Sequence, residues 1–236
     1  MIELKKITHF YGRKSSLENL SLKIEANKFT SLLGSSGSGK TTILRLIAGL
    51  EIPREGKIII EKKTVSEEGK IIVPPRERNV GFIFQDLALW SHFTIYKNIA
   101  FGLKERKEKN VQKTVFEILD FFGISEHAEK YPHQLSGGQK QLAAIARSLA
   151  LKPKYLLMDE PLANLDVKLK RKILEHIKNL KNNFDVTIVY VTHDHKEAFA
   201  VADEIVVLND GKIEATGGVE EIKNSQNEYV KYFLEY

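Results

Sequence analysis

Two kinds of apolar pattern run through this chain. Short continuous apolar runs recur at Phe29–Leu33, Val80–Phe84, Tyr155–Met158, Thr187–Val191 and Ile205–Leu208. Runs of that length without polar alternation suit parallel strands buried on both faces. Looser alternation over Ile2–Phe10 and Leu20–Ile24, with Lys57–Ile60 and Lys70–Val73, predicts half-buried strands of a small antiparallel layer, with the polar Lys62–Gly69 stretch as a connector. Helical spacing appears over Thr42–Gly49, Val111–Phe122, Gln139–Leu151, Val167–Asn182 and Lys196–Ala202. Between Thr94 and about Ala150 no strand pattern occurs, which predicts a helical insertion at about residues 88–152. Strands and helices then alternate, so the core is read as α/β with a parallel sheet, in one domain over residues 1–236. Lys212–Glu214, after an Asp210-Gly211 turn, reads as a final hairpin strand before a helical tail.

The first apolar run leads into Gly34-Ser35-Ser36-Gly37-Ser38-Gly39-Lys40-Thr41-Thr42, and a helical pattern follows. This fits the phosphate-binding pattern G-x-x-x-x-G-K-[ST] in the strand–loop–helix context the motif requires. Glycines let the backbone wrap around phosphates, and the loop amides and helix N-terminus face the anion. Lys40 supplies a point charge for the β- and γ-phosphates, and the Thr41 hydroxyl is a Mg²⁺ ligand candidate.

Tyr155-Leu156-Leu157-Met158 ends in Asp159-Glu160. A buried strand ending in acids delivers them to the carboxyl edge of the sheet, where open α/β folds bind ligands. Asp159 is the expected Mg²⁺ holder, and Glu160, one residue on, the expected base for an attacking water. Leu135-Ser136-Gly137-Gly138-Gln139, just before the Lys140–Leu151 helix, offers a second set of amides at a helix N-terminus. One phosphate loop needs no second anion site for the same phosphates, so one of the two is expected to act on nucleotide held by another copy.

Composition narrows the field. The chain lacks cysteine, so no disulfide forms. No apolar run approaches the ~18 residues of a membrane span, and the N-terminus carries no signal-peptide pattern. The net charge of +5 is spread among many acids rather than gathered in a patch, so it reads as a solvated surface, and no nucleic-acid partner is expected.

With Leu135–Gln139 lying between the phosphate loop and Asp159-Glu160, the sequence resembles the ATP-binding cassette (ABC) ATPases. The resemblance implies a P-loop NTPase fold with a RecA-like parallel-sheet core, an antiparallel β subdomain and an inserted helical subdomain. It assigns Tyr11 to adenine stacking, Gln85 to Mg²⁺ and water, Asn164-Leu165-Asp166 to a loop crossing a dimer interface, and His193 to the γ-phosphate. The nucleotide-binding set it implies is Tyr11, Gly34, Ser35, Ser36, Gly37, Ser38, Gly39, Lys40, Thr41, Thr42, Gln85, Ser136, Gly137, Gly138, Gln139, Asp159 and His193. Thr41, Gln85 and Asp159 would manage the metal, and Glu160, His193 and Lys40 would be catalytic.

Val73–Gly81, Leu87–Leu103 and Pro161–Asp166 are similar to the importer ATPases for maltose, polyamines, iron, sulfate and molybdate. That implies a homodimer, or a dimer with a second ATPase subunit, closing on two ATP. It also implies an integral membrane permease docked near Leu87–Leu103, an extracytoplasmic solute-binding protein, and a peripheral site at the cytoplasmic membrane face. Soluble ABC ATPases of cluster assembly or nucleic-acid maintenance, and exporter subunits, are the alternatives. The chain departs from the group at Trp90-Ser91, where an aromatic is commonly followed by proline, and at Leu142, where arginine is frequent. Ending at Tyr236, it is also expected to lack the β-rich regulatory domain that many members carry.

Overall fold

The computed structural model describes residues 1–163 and 165–235. The chain runs β1 (Ile2–Tyr11), β2 (Lys14–Ile24), β3 (Phe29–Gly34), α1 (Lys40–Ala48), β4 (Glu55–Ile60), β5 (Lys63–Glu67), β6 (Lys70–Ile71) and β7 (Val80–Ile83). Three helices follow: α2 (Ile95–Glu105), α3 (Val111–Phe121) and α4 (Gly137–Ala150). Then come β8 (Tyr155–Asp159), α5 (Val167–Phe184), β9 (Thr187–Thr192), α6 (His195–Val201), β10 (Glu204–Asn209), β11 (Lys212–Gly217), α7 (Val219–Lys223) and α8 (Glu228–Glu235).

Strands β7, β8, β9, β3 and β10 pair in parallel in that spatial order, and β11 closes one edge antiparallel to β10. Side chains alternate between its faces, as the strand period of two requires. Leu32, Leu157, Val189 and Val191 pack with Ile43, Leu46 and Ile47 of α1. Leu156, Met158, Ile188 and Tyr190 pack with Ile99, Leu103, Ile145 and Ile173 of the helical layer. Both faces are covered, which is why these strands read as uninterrupted apolar runs. The fold is that of an α/β P-loop NTPase.

A second sheet, ordered β2-β1-β4-β5-β6 and antiparallel throughout, covers α1 on its other side. Here the structure corrects three expectations. Within the Lys62–Gly69 connector, Lys63–Glu67 is strand β5, with Val65 and Ser66 buried. The strand expected over Lys70–Val73 is only Lys70–Ile71, and the one expected from Leu20 begins at Lys14. The β4–β5 hairpin escapes notice because its turn carries unexpected residues. Ile60 pairs with Lys63, and both turn residues, Glu61 and Lys62, have positive φ (51° and 67°). Such a turn usually advertises itself as Asn-Gly. Here the Glu61 carboxylate accepts from the Met1 ammonium at 2.8 Å, from Lys154 at 2.6 Å and from the Tyr155 hydroxyl, tying the turn to β8. Those bonds hold its carboxyl down at about 2.

Arg78 joins the two layers. Its guanidinium is buried and donates to the carbonyls of Val73, Val65, Leu46 and Ile47 at 2.9–3.1 Å and to Ser66 Oγ at 2.7 Å. Two of those carbonyls belong to the last turn of α1, where a helix leaves acceptors free; the Gly49 amide also donates to Leu46 O at 3.1 Å. Gly49 ends α1 with φ 79°, and a Cβ there would lie 2.6 Å from Arg78 Cζ. Burial lowers the Arg78 guanidinium to about 10, so it stays charged at neutral pH. Replacing it with methionine of similar length removes the donor from the Ile47 and Val73 carbonyls, while Leu46 O and Val65 O keep backbone donors. Arg78→Met should lower unfolding free energy by ~2–4 kcal/mol, read as a shifted midpoint in chemical denaturation with unchanged slope.

Candidate functional site

The loop between β3 and α1 is held by close backbone contact. A Cβ on Gly34 would sit 2.2 Å from the Leu208 carbonyl oxygen of β10, so only glycine lets the loop leave the sheet here. Ser38 is buried beneath the loop, and its carbonyl accepts from the Gly211 amide at 3.1 Å. Lys40 opens α1 and folds its ammonium onto the loop, donating to Gly34 O at 2.8 Å, Ser35 O at 2.7 Å and Ser38 Oγ at 3.4 Å. No side chain caps the α1 N-terminus, so none competes there for its first amides.

The parallel register brings the other residues to the same edge. Leu33 lies opposite Thr192, and Asp159 opposite Val191, so the carboxyl ends of β3, β9 and β8 are level. Thr41 Oγ1 donates to Asp159 Oδ1 at 2.7 Å. Glu160 turns out of β8 with φ 43°, a left-handed conformation unusual for a residue with a side chain, and its amide donates to Val191 O at 3.1 Å. His193 Nδ1 lies 3.1 Å from Glu160 Oε2. The β9–α6 turn that carries His193 is pinned by buried Glu197, which accepts from Tyr190 Oη at 2.7 Å, Thr192 Oγ1 at 2.9 Å and Lys170 Nζ at 2.9 Å.

A cleft of about 370 Å³ is lined by Tyr11, Lys14, Ser15, Ser16, Ser36, Gly37, Gly39, Lys40, Thr41, Thr42, Gln85 and Glu160. Of the expected site residues, the structure gathers eight besides Glu160 in its lining, with Asp159 and His193 one contact behind. Gly34, Ser35 and Ser38 shape the loop from outside that lining. Gln85 also lines an adjoining cleft with Thr41 and Asp159. Tyr11 stands exposed, its ring edge-on to His9 at 4.9 Å. Lys14, Ser15 and Ser16 were missed from sequence. They lie on β2, and Ser16 Oγ is 2.7 Å from Thr42 Oγ1, so the antiparallel sheet forms a wall of the site. Only the Ser-Ser pair two residues after a basic turn hints at it. Glu197 was likewise missed, its acidic residue on a short helix giving no sign of burial.

Lys40 is pushed below its ordinary 10.5 by burial, with the Glu160 and Asp159 carboxylates pulling it back. Asp159 is pushed above its ordinary 3.8, first by burial and further by Glu160, against the Thr41 hydrogen bond and the charges of Arg45 and Lys40. Each buried group is thus disfavoured in its charged form. The donor chemistry around Asp159 fits magnesium: Thr41 hydroxyl, Asp159 carboxylate and Gln85 amide are hard oxygen donors, and Mg²⁺ is usually held by one or two protein groups with water and phosphate. Among the described residues no cluster of three or more His, Cys, Asp or Glu could hold a metal alone.

Ser136, Gly137, Gly138 and Gln139 do not line this cleft. They begin α4 as a capping box: the Gln139 amide donates to Ser136 Oγ at 3.3 Å, and the Ser136 amide donates to Gln139 Oε1 at 2.9 Å. That second bond orients the Gln139 side chain so that its Nε2 lies 2.7 Å from buried His127 Nε2. The exposed Glu126 carboxylate, 3.4 Å from Nε2, is the more distant neighbour. Gly138 lets α4 approach α5, because a Cβ there would fall 2.7 Å from Leu169 Cδ1. Asp166 caps α5, accepting from the Leu169 amide at 3.0 Å. Asn164, expected to cross a dimer interface, lies outside the described residues.

Asp159 yields a signed expectation. Its folded-state value is raised, so the folded chain binds more protons just above pH 3.8, and stability falls as pH rises through that window. Asp159→Asn keeps an acceptor for Thr41 and removes the charge. In nucleotide-free buffer at pH 7 it should exceed the wild type in stability by on the order of 1 kcal/mol. The gain should vanish as the pH falls toward the ordinary aspartate range, as thermal unfolding across that range would read.

The sequence pattern of the ABC transporter family matches residues 17–163. The chain is 42% identical over 237 residues to the spermidine/putrescine import ATP-binding protein PotA of Clostridium acetobutylicum, covering 99% of this chain and 66% of that protein. It is 42% identical over 240 residues to the sulfate/thiosulfate import ATP-binding protein CysA of Pseudomonas syringae pv. tomato, covering 99% of this chain and 72% of that protein. The chain thus spans about two thirds of the length of curated relatives it matches. Among solved structures, a dimeric bacterial ABC transporter cassette superimposes with a TM-score of 0.83 at 33% identity, covering 93% of this chain and 99% of that one. A nucleotide-free ATP-binding cassette from an ABC transporter gives 0.85 at 27% identity, covering 99% and 98%. With the phosphate loop, the acidic strand end and the glycine-led helix α4 all in the fold described above, the chain belongs to the ABC transporter family.

Proposed function

We propose that this chain is the ATP-binding and ATP-hydrolysing motor subunit of an ABC importer, at the cytoplasmic face of the membrane. The observation that carries this reading is the separation of two phosphate-binding elements within one chain. The Gly34–Thr42 loop opens into the cleft with Glu160 and Gln85, while Ser136–Gln139 begins α4 and takes no part in its lining. A second copy, turned head to tail, would bring its Ser136–Gln139 amides onto ATP held by the first, giving two ATP per dimer. The dimeric form of a structural relative supports that arrangement.

In this reading Tyr11 stacks on the adenine, and the loop amides from Gly34 to Thr42 with Lys40 bind the phosphates. Magnesium would be held by Thr41 and Asp159, with Gln85 beside them, and would neutralise phosphate charge. Glu160 orients the attacking water and takes its proton, and His193, beside it, steadies that carboxylate and faces the γ-phosphate. The buried ammonium of Lys40 would regain a partner in the phosphates, and Asp159 in the cation, which relieves both disfavoured charges at once.

The segment α2–α4 would act as the moving helical subdomain. A groove of about 340 Å³ beside it, walled by Trp90, Phe101 and Arg147 among others, is the proposed seat of the membrane permease. Exposed aromatic side chains support this, with Trp90 37% and Phe101 42% accessible. Among the described residues no helix is long and apolar enough to cross a membrane, so in this reading the spanning part belongs to the partner. An extracytoplasmic solute-binding protein would complete the system.

Two measurements test these proposals. Glu160→Gln should keep ATP affinity while slowing steady-state hydrolysis by about 10²–10⁴-fold, and should accumulate an ATP-bound dimer on size exclusion. Turnover near that of the wild type would remove Glu160 from the role of base. Detergent pull-down from native membranes should bring down a multi-span permease. Recovery of the protein without any membrane chain would favour a soluble ABC ATPase, and a permease fused to or paired with no solute-binding protein would favour an exporter.

A further inference from the structure

Arg147, in the second half of α4, does three things at once. Its Nη1 donates to Ala88 O at 2.6 Å and its Nη2 to Leu87 O at 2.8 Å. Its guanidinium carbon lies 5.2 Å from the centre of the Trp90 ring. It also forms part of the wall of the groove proposed for the permease.

The backbone it holds is unusual. Gln85 and Asp86 are the central residues of a turn closed by the Leu87 amide donating to Phe84 O at 2.9 Å. The next two residues, Leu87 and Ala88, are both left-handed, with φ of 63° and 46°. Consecutive non-glycine residues rarely take that conformation, because each Cβ crowds the neighbouring carbonyl. Such a bend persists only where its surroundings over-determine it. Here one planar fork claims both carbonyls, a geometry that arginine supplies and lysine does not. Burial lowers the guanidinium, with Asp86 pulling the other way, in keeping with a side chain committed to this contact.

The ends of this contact reach two sites. Gln85 lines the proposed nucleotide cleft and the adjoining one with Thr41 and Asp159. Trp90 faces the groove, edge-on to Phe101 at 4.9 Å, and its backbone is fixed by Asn98, whose side chain accepts from the Trp90 amide at 2.9 Å and donates to its carbonyl at 3.1 Å. A shift of the Gln85 turn would displace the carbonyls that Arg147 holds and, through Arg147, the indole. Ser148, next on α4, donates to Phe82 O at 3.1 Å, so the helix is also fastened to β7 just before the bend.

We propose that Arg147 is a positioning residue that couples Gln85 to the Trp90 wall of the groove, with the left-handed Leu87–Ala88 bend as the element that changes state. The proposal rests on the reading of the cleft as a nucleotide site. It adds a specific contact through which nucleotide occupancy and groove shape influence each other, and by linkage the influence runs equally in both directions.

Trp90 is the single tryptophan of the chain, so its fluorescence reports this one place. The experiment titrates Mg²⁺ and ATP into the purified Glu160→Gln chain, following tryptophan emission, with calorimetry measuring binding separately. Emission should change and saturate at the calorimetric affinity. In the added Arg147→Met variant binding should stay within about threefold of the parent, while the emission change falls by about fivefold or more. Arg147→Lys, which keeps the charge beside Asp86 and Trp90 without the fork, should also lose the change, and it decides the matter if the methionine variant fails to fold by circular dichroism. Leu87→Gly, which relaxes the bend without touching the arginine, should likewise weaken it. Binding with no emission change in the parent chain, or an equal change in the Arg147 variants, overturns the coupling alone. Absence of calorimetric binding overturns the nucleotide reading and the coupling with it.

Discussion

Lys40 is a buried ammonium whose hydrogen-bond partners among the described residues are all neutral oxygens, and much of the site follows from that arrangement. A buried charge without a counter-ion is costly, and a neighbouring carboxylate offsets the cost only if it comes close. The register of β3, β9 and β8 brings Asp159 and Glu160 near enough to influence Lys40, while Thr41 and His193 each contact one oxygen of these carboxylates. The result is a set of opposite charges that share an edge without neutralising one another. A polyanion carrying a divalent cation supplies what each side lacks, and the proposed function uses that complementarity.

The same register explains how much of the architecture could be read from sequence. Strands covered on both faces must be apolar throughout, so β3, β8, β9 and β10 declared themselves, and the acids at the end of β8 could be assigned to the carboxyl edge of the sheet from sequence. The antiparallel sheet was less legible, because its hairpin turn at Glu61-Lys62 takes positive φ with residues whose preference runs the other way. Its stabilisation comes from Met1, Lys154 and Tyr155, which are distant in sequence. Arg78 is a similar case. Nothing in Arg76-Glu77-Arg78 distinguishes the buried guanidinium from its exposed neighbour, since burial is decided by carbonyls of α1, β5 and the segment after β6. The contribution of Lys14–Ser16 to the cleft was hidden for the same reason, as β2 reaches the loop only through the packing of one sheet on another.

Ser136–Gln139 was legible as a motif but not as a piece of geometry. The residues were read as an anion site, and in the fold they also meet two local demands. Gln139 closes the capping box and contacts His127, while Gly138 permits the approach of Leu169. Glycine in this motif therefore has a packing reason that stands whether or not a phosphate binds. The proposed function and the packing ask for the same residue, so a substitution there disturbs the packing as well as the proposed site.

Helix α4 ties these elements together. Its fourteen residues span roughly 20 Å, with the Ser136 cap at one end and Arg147 and Ser148 near the other. Residues of α4 pack into the helical layer against β8 and β9 along most of its length. A helix with the Ser136 cap at one end, a fork on the Gln85 segment and an aromatic contact in the groove cannot change one of these relations without straining the others. Interiors packed to this density respond by switching between discrete arrangements rather than by yielding gradually. The left-handed pair Leu87–Ala88 is where the proposed switch is placed, because its backbone already stands outside the most favoured region.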